Sequence, residues 1–145
     1  ISADMFVAAK AVWQVEQLRE LYVTFASSEA IGLSSIASLV QPVGRDQNHG
    51  LGVQMDPVAT QKVMAPIAPG LFAQLGIQRW DELKLGSSWA PSIDRGVIAL
   101  DGEREIEFRA VDKVRLSLDR HGPRVIDVSK ALGAAAKCGV MIQNC

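Results

Sequence analysis

Apolar residues in this chain gather in short runs broken by glycine, proline and charged positions, a rhythm of strands and turns with little room for long helices. Residues 5–13 form an apolar, β-tolerant stretch. Residues 21–25 combine Leu, Tyr, Val, Thr and Phe, the β-branched and aromatic mixture that predicts a strand. Ser27, Ser28 and Glu29 then supply capping side chains before residues 30–40, where Ile31, Ile36, Leu39 and Val40 fall near helical spacing. Pro42 closes that short helix, and residues 44–50 read as a polar loop. Strands are expected at 51–55 and 63–67, a turn at Pro69-Gly70, and a further apolar piece at 71–77. Residues 78–92, with Trp80 and Trp89, read as irregular. Three β segments follow at 97–100, 105–108 and 114–118, and a turn at 121–123 leads into another at 125–128. Ser129 is expected to cap a final Ala-rich helix reaching about residue 138. No repeat, low-complexity tract or linker interrupts this pattern. Many short strands at turn-punctuated spacing predict a mainly β domain, a sandwich or barrel with small helices attached.

Composition narrows the function classes. A length of 145 residues predicts one domain over 1–145, long enough to bury roughly 68–70% of its unfolded surface. The formal net charge of −1 provides no field to attract nucleic acid. No apolar run approaches the ~18–20 residues that span a bilayer, so no membrane role is expected. Signal-peptide grammar is not found, and Ile1 in place of an initiator Met points to a fragment or processed product. Cys138 and Cys145 lack the paired spacing of a zinc site and read as reduced thiols of a cytoplasmic protein.

Two segments carry candidate chemistry. The first is Asp101-Gly102-Glu103-Arg104-Glu105, at the end of the apolar run 96–100. One reading is a plain hairpin turn, with Ile106 and Phe108 facing the core and Glu103, Glu105 and Glu107 on a solvated face. The other has Asp101 and Glu103 pointing into a cleft, where they bind a cation or accept hydroxyl protons. Spacing leaves both open. The second segment is 26–35, where Ser27, Ser28 and backbone N–H groups at a helix start suit a phosphate or ribose oxygen, or else form an ordinary cap. His49 and His121 lack neighbours at metal-ligand spacing and read as surface residues. The tryptophans read as core or lid residues. No serine sits in a nucleophile elbow, and no Gly-rich phosphate loop is found.

Taken together, these segments resemble a known superfamily. Residues 23–34, continuing to Val40-Gln41-Pro42, are similar to the NAD-kinase segment TPTGSTAYNLSAGGPIVHP, with the Leu-Ser pair and closing proline in register. Met64-Ala65-Pro66-Ile67-Ala68-Pro69 resembles that family's TPIAPH strand. Ile98-Ala99-Leu100-Asp101-Gly102-Glu103 resembles the DGQ or DGE element of NAD, sphingosine and diacylglycerol kinases, and the order of all three agrees. Ala30-Ile31-Gly32-Leu33-Ser34-Ser35-Ile36-Ala37, Pro42-Val43-Gly44-Arg45-Asp46 and Gly122-Pro123-Arg124-Val125-Ile126-Asp127-Val128 are similar to a nearer branch, the NAD-kinase-like acetoin catabolism protein X family of bacteria.

The resemblance implies an antiparallel β-sandwich like the C-terminal domain of NAD kinase, with two or three short helices. It implies a C-terminal half that binds the acceptor, separate from an N-terminal domain whose GGDGT holds the nucleotide phosphates and which this sequence does not contain. ATP and Mg2+ are then cofactors of the full-length protein, none held by this chain alone, and the chain alone is expected to be inactive. Asp101 and Glu103 take the catalytic positions. Ser27, Ser28, Glu29, Gly32, Ser34 and Gly102 take the substrate-binding ones, and no metal ligand is implied. Partners would be NAD or a related nucleotide and the missing N-terminal domain, with a homo-oligomer left open. The sequence departs from STAY by placing Glu29 at a hydroxyl position and Ile31 at an aromatic one. These departures keep a second class open, a nucleotide-binding or regulatory module without kinase activity.

Overall fold

The computed structural model describes residues 4–8, 14–100, 104–122 and 126–142. In chain order the elements are β1 (Asp4–Ala8), β2 (Leu18–Val23), α1 (Ser34–Val40), β3 (His49–Met55), β4 (Gln61–Ala68), β5 (Leu71–Lys84), β6 (Ser88–Trp89), β7 (Arg95–Leu100), β8 (Arg104–Arg109), β9 (Leu116–Ser117) and α2 (Val128–Lys137). The mainly β, antiparallel class with two α-helices is found as expected. Seven strands form one ladder in the order β4-β5-β3-β2-β1-β7-β8, every neighbouring pair antiparallel, and β6 pairs with β9 in a small separate ribbon.

Alternation along β2 divides the core. Leu21 and Val23 point to one face, where they join Leu51, Val53 and Met55 of β3 and Ile36 and Ala37 of α1. Ala65 of β4 and Leu75 of β5 belong to the same cluster, so the β4–β5 hairpin and α1 close this face together. Each fully buried leucine here contributes about 1.5–3 kcal/mol of transfer free energy. The hairpin needs a close backbone approach where β5 passes from one partner strand to the other. At Gly76 an added Cβ would stand 2.0 Å from the Asp56 carbonyl oxygen, so no side chain fits there. Tyr22 points to the opposite face and packs with Leu83, Ile98 and Phe108, and the ribbon covers them with Trp89 and Leu116.

Several expectations are corrected. β2 begins at Leu18 and ends at Val23, leaving Thr24 and Phe25 outside it. The helix predicted over 30–40 begins only at Ser34, because Gly32 at φ 99° breaks the run before it. His49 and Gly50 open β3 and are not part of a loop. β5 continues without interruption through 78–84, a stretch read as irregular. Its polar residues hide the strand, and pairing with β3 from Met55↔Ile77 to His49↔Lys84 makes it. The segment predicted over 114–118 pairs only at Leu116 and Ser117. Val128 begins α2, and Asp127, not Ser129, caps it: the Asp127 carboxylate accepts the Lys130 N–H at 3.0 Å. The strand expected at 125–128 falls partly outside the described residues. Of the tryptophans, Trp80 is exposed on β5, Trp89 is half-buried in the ribbon, and Trp13 lies outside the described residues.

α2 buries no residue: Val128 and Leu132 on it are exposed, as are Val140, Met141 and Ile142 beyond its end.

Candidate functional site

Strand register brings the last residues of β2 and β7 to one end of the sheet. Met5 of β1 pairs with Tyr22 on one side and with Leu100 on the other. Tyr22 and Leu100 thus share a row across the sheet, about 10 Å apart at two strand spacings. Beyond Leu100 the chain enters Asp101, Gly102 and Glu103, and beyond Val23 it enters the segment leading to Ser27. Asp101, Gly102 and Glu103 lie outside the described residues, so the choice between turn and cleft for their carboxylates falls there as well. On either side of them β7 and β8 pair antiparallel, with Leu100 opposite Arg104. Phe108 is buried as expected and Glu105 and Glu107 are exposed, but Ile106 is half-exposed, a correction to its expected place in the core.

Ser27, Ser28 and Glu29 form a self-contained turn. The Ser27 hydroxyl accepts the Glu29 N–H at 3.3 Å, and the Ser27 carbonyl accepts the Ala30 N–H at 3.0 Å. Ser28 and Glu29 are exposed. This turn does not cap α1, whose N-cap position is Leu33 with no side-chain bond. Gly32 donates its N–H to the Pro66 carbonyl of β4 at 2.9 Å, and Ser35 donates its hydroxyl to the Gly32 carbonyl at 2.6 Å. Ser34, the first residue of α1, is half-buried beside them. The six described residues from Ser27 to Gly32 therefore span from the end of β2 to β4. Ile31, at the position aromatic in the resembled motif, is exposed.

Two groups were not legible as site residues. Arg45 lies with its guanidinium 4.1 Å from the centre of the Phe25 ring, held there by the Ala26–Val43 bridge. Glu20 is fully buried, and its carboxylate is satisfied on both oxygens. Oε2 accepts the Tyr22 hydroxyl at 2.9 Å, and Oε1 accepts the Ser92 N–H at 2.6 Å and the Gln54 amide at 3.5 Å. Gln54 in turn accepts Arg79 Nε at 2.7 Å. Burial first, and then the Glu20 charge and hydrogen bond, push the Tyr22 phenol well above its ordinary value. Because Ser92 lies between β6 and β7, Glu20 ties the ribbon's connection to the sheet. The readable signal was an acid inside an apolar run with a tyrosine two residues on, on the same strand face.

Two hollows flank this region. One, of about 150 Å³, lies under the ribbon and is lined by Tyr22, Thr24, Leu83, Trp89, Leu100 and Leu116 among others. The larger, of about 560 Å³, lies beside Leu33 and is lined by Val15, Glu16, Ile67, Leu71 and Phe72 among others. No group of three His, Cys, Asp or Glu among the described residues could hold a metal ion. Cys138 is exposed and free, and Cys145 lies outside the described residues. No described helix is long and apolar enough to cross a membrane.

Residues 1–121 match the family described as acetoin catabolism protein X C-terminal domain. Over 143 residues the chain is 39% identical to the acetoin catabolism protein X of Cupriavidus necator, an alignment covering 97% of this chain and 40% of that protein. The chain thus spans about two fifths of the length of this curated relative. No solved structure matches the chain.

Proposed function

From the premise that the chain belongs to the acetoin catabolism protein X C-terminal domain family, we propose that it is the acceptor-binding half of an NAD-kinase-like protein of acetoin catabolism. Phosphoryl transfer from ATP to NAD or a related hydroxyl acceptor is then an activity of the full-length polypeptide, in which a GGDGT domain holds the nucleotide phosphates with Mg2+. Ser27, Ser28, Glu29, Gly32, Ser34 and Gly102 bind the acceptor. Asp101 takes the proton of the acceptor hydroxyl as its oxygen receives the phosphoryl group and ADP leaves, and Glu103 supports that charge change. The observation that carries this reading is the shared row Tyr22–Met5–Leu100, which sends both candidate segments off the same end of the sheet.

The test is ATP-dependent phosphorylation of NAD by the full-length protein. Asp101→Asn is expected to lower turnover by about 10²-fold or more with the urea midpoint unchanged. Unchanged turnover returns Asp101 to the role of a turn residue. The 145-residue chain alone is expected to transfer nothing.

The alternative is a non-catalytic nucleotide-binding or regulatory module. It is favoured by Glu29 and Ile31, an exposed carboxylate and an exposed aliphatic residue at positions that are a hydroxyl and a ring in the resembled motif. A full-length protein that binds NAD saturably yet transfers no phosphate would decide for it.

A further inference from the structure

Two stretches of chain cover the second face of the sheet. Residues 86–93 lead from β5 toward β7, and residues 114–118 follow β8. They meet where β6 pairs with β9, and where Gly86 donates its N–H to the Leu118 carbonyl at 3.0 Å. Both keep the alternation of a strand. Trp89, Pro91 and Ile93 are half-buried between exposed Ser88, Ala90 and Ser92, and Val114, Leu116 and Leu118 are half-buried around exposed Arg115 and Ser117. Their apolar side chains pack on a floor of Tyr22, Leu83, Ile98 and Phe108, yet not one of them is fully buried. Each stretch leaves the sheet at a left-handed residue, Gly86 at φ 76° and Lys113 at φ 47°. Polar ties are fewer still. Beyond the turn bond from the Ser87 N–H to the Lys84 carbonyl, the hydrogen bond that joins these stretches to the sheet, among the described residues, runs from the Ser92 N–H to Glu20 Oε1 at 2.6 Å. Glu20 is fully buried and held from within the sheet by Tyr22 and Gln54.

We infer that residues 86–93 and 114–118 open and close as one unit, a lid over Leu83, Ile98 and Phe108, with Glu20 as its latch. The two left-handed residues are its hinges, at the element-terminal positions where hinges are found. A ribbon of two residues per strand does not hold itself together in water. Lifting it off the floor therefore separates its strands as well, and frees the Gly86 and Ser92 amides in the same event. The sealed face, with its own larger cluster, stays folded when this happens. Access to the apolar floor is thus set by one charge-assisted bond to a buried acid, a bond roughly twice as strong as a neutral one. This holds whatever ligand the end of the sheet binds.

The experiment is native-state amide hydrogen exchange on the isotopically labelled 145-residue chain, following Gly86, Ser92 and, on the interior strand β3, Val53. Gly86 and Ser92 are expected to share one protection factor within about threefold, at least about tenfold below that of Val53. Ile36→Val thins the sealed face, which the open-lid state keeps and the unfolded chain loses. It is expected to lower Val53 protection by about two- to tenfold and to leave Gly86 and Ser92 unchanged. Glu20→Gln keeps the shape but not the charge, and is expected to lower Gly86 protection by about three- to tenfold although Gly86 lies far from it in sequence. Ser92→Pro removes the donor from an exposed position without touching the buried acid, and is expected to lower Gly86 protection at least about tenfold. Protection of Gly86 and Ser92 more than about tenfold apart would mean separate fraying and would overturn the single unit. An equal fall at all three amides in Ile36→Val would mean that the lid opens only with the whole fold. Gly86 protection unmoved by both Glu20→Gln and Ser92→Pro would remove Glu20 as the latch.

Discussion

The two faces of the seven-stranded sheet are finished differently. On one, α1 and the β4–β5 hairpin seal a cluster of fourteen buried residues reaching from Leu18 to Ala99. On the other, Tyr22, Leu83, Ile98 and Phe108 make up the buried cluster among the described residues, under a two-stranded ribbon whose own side chains stay partly exposed. Most of the transfer free energy of folding therefore comes from the first face. The second keeps a hollow, a buried carboxylate and the row that leads to Asp101. The sealed face holds the fold rigid enough for the other to remain unfilled, a division seen wherever a site is carried by a packed scaffold.

Substitutions can set the two faces against each other. The largest effect is expected on the sealed one: Leu51→Ala removes a fully buried side chain and should cost about 3–5 kcal/mol in urea unfolding. A cost below about 1 kcal/mol would mean that this cluster does not carry the fold. On the second face, Glu20→Leu leaves the Tyr22 hydroxyl and the Ser92 N–H without an acceptor, and about 2–3 kcal/mol should be lost. Trp89 emission should shift with it, because the ribbon's connection is released while the sealed face stays intact.

The same network gives the second face a pH signature. Burial and the Glu20 charge hold the Tyr22 phenol above its ordinary value of 10.0, so the unfolded chain loses that proton at lower pH than the folded one. This contribution to stability is fully present below pH 10.0 and falls as the pH rises toward the folded value. Tyr22→Phe should flatten the alkaline loss in a series of urea midpoints, and a wild-type curve already flat there would contradict it. The smallest effect is expected far from both faces. Leu132→Ala on α2 removes an exposed side chain and should change stability by no more than about 0.5 kcal/mol.

Much of the fold was legible because most strands carry their own signal. The apolar runs of β2, β3, β4 and β7 read as strands, with errors of a few residues at their ends, where local pattern is weakest. The second half of β5 was not legible. Gln78, Arg79, Asp81, Glu82 and Lys84 look like a loop until β3 pairs beside them, and the partners lie far back along the chain, from Arg79↔Gln54 to Lys84↔His49. The start of α1 was misplaced for the opposite reason: Ile31 continues the helical spacing, and the positive φ of Gly32 overrides it. For the candidate site, the sequence pointed to the two segments and register supplied what it could not, their departure from one end of the sheet. Arg45 and Glu20 escaped because a stacked guanidinium and a satisfied buried acid have no spacing rule. Their roles exist only once Phe25, Tyr22 and Ser92 are placed around them.

The central claim is that ligand recognition belongs to the end of the sheet where β2 and β7 finish. The most direct test is an amide chemical-shift map of the 145-residue chain under saturating NAD. If NAD binds, the account predicts shifts gathered at Thr24 to Ser34, Leu100 and Arg104. Binding that leaves those residues unmoved, or shifts confined to α2 or to the outer edge of β8, would contradict it.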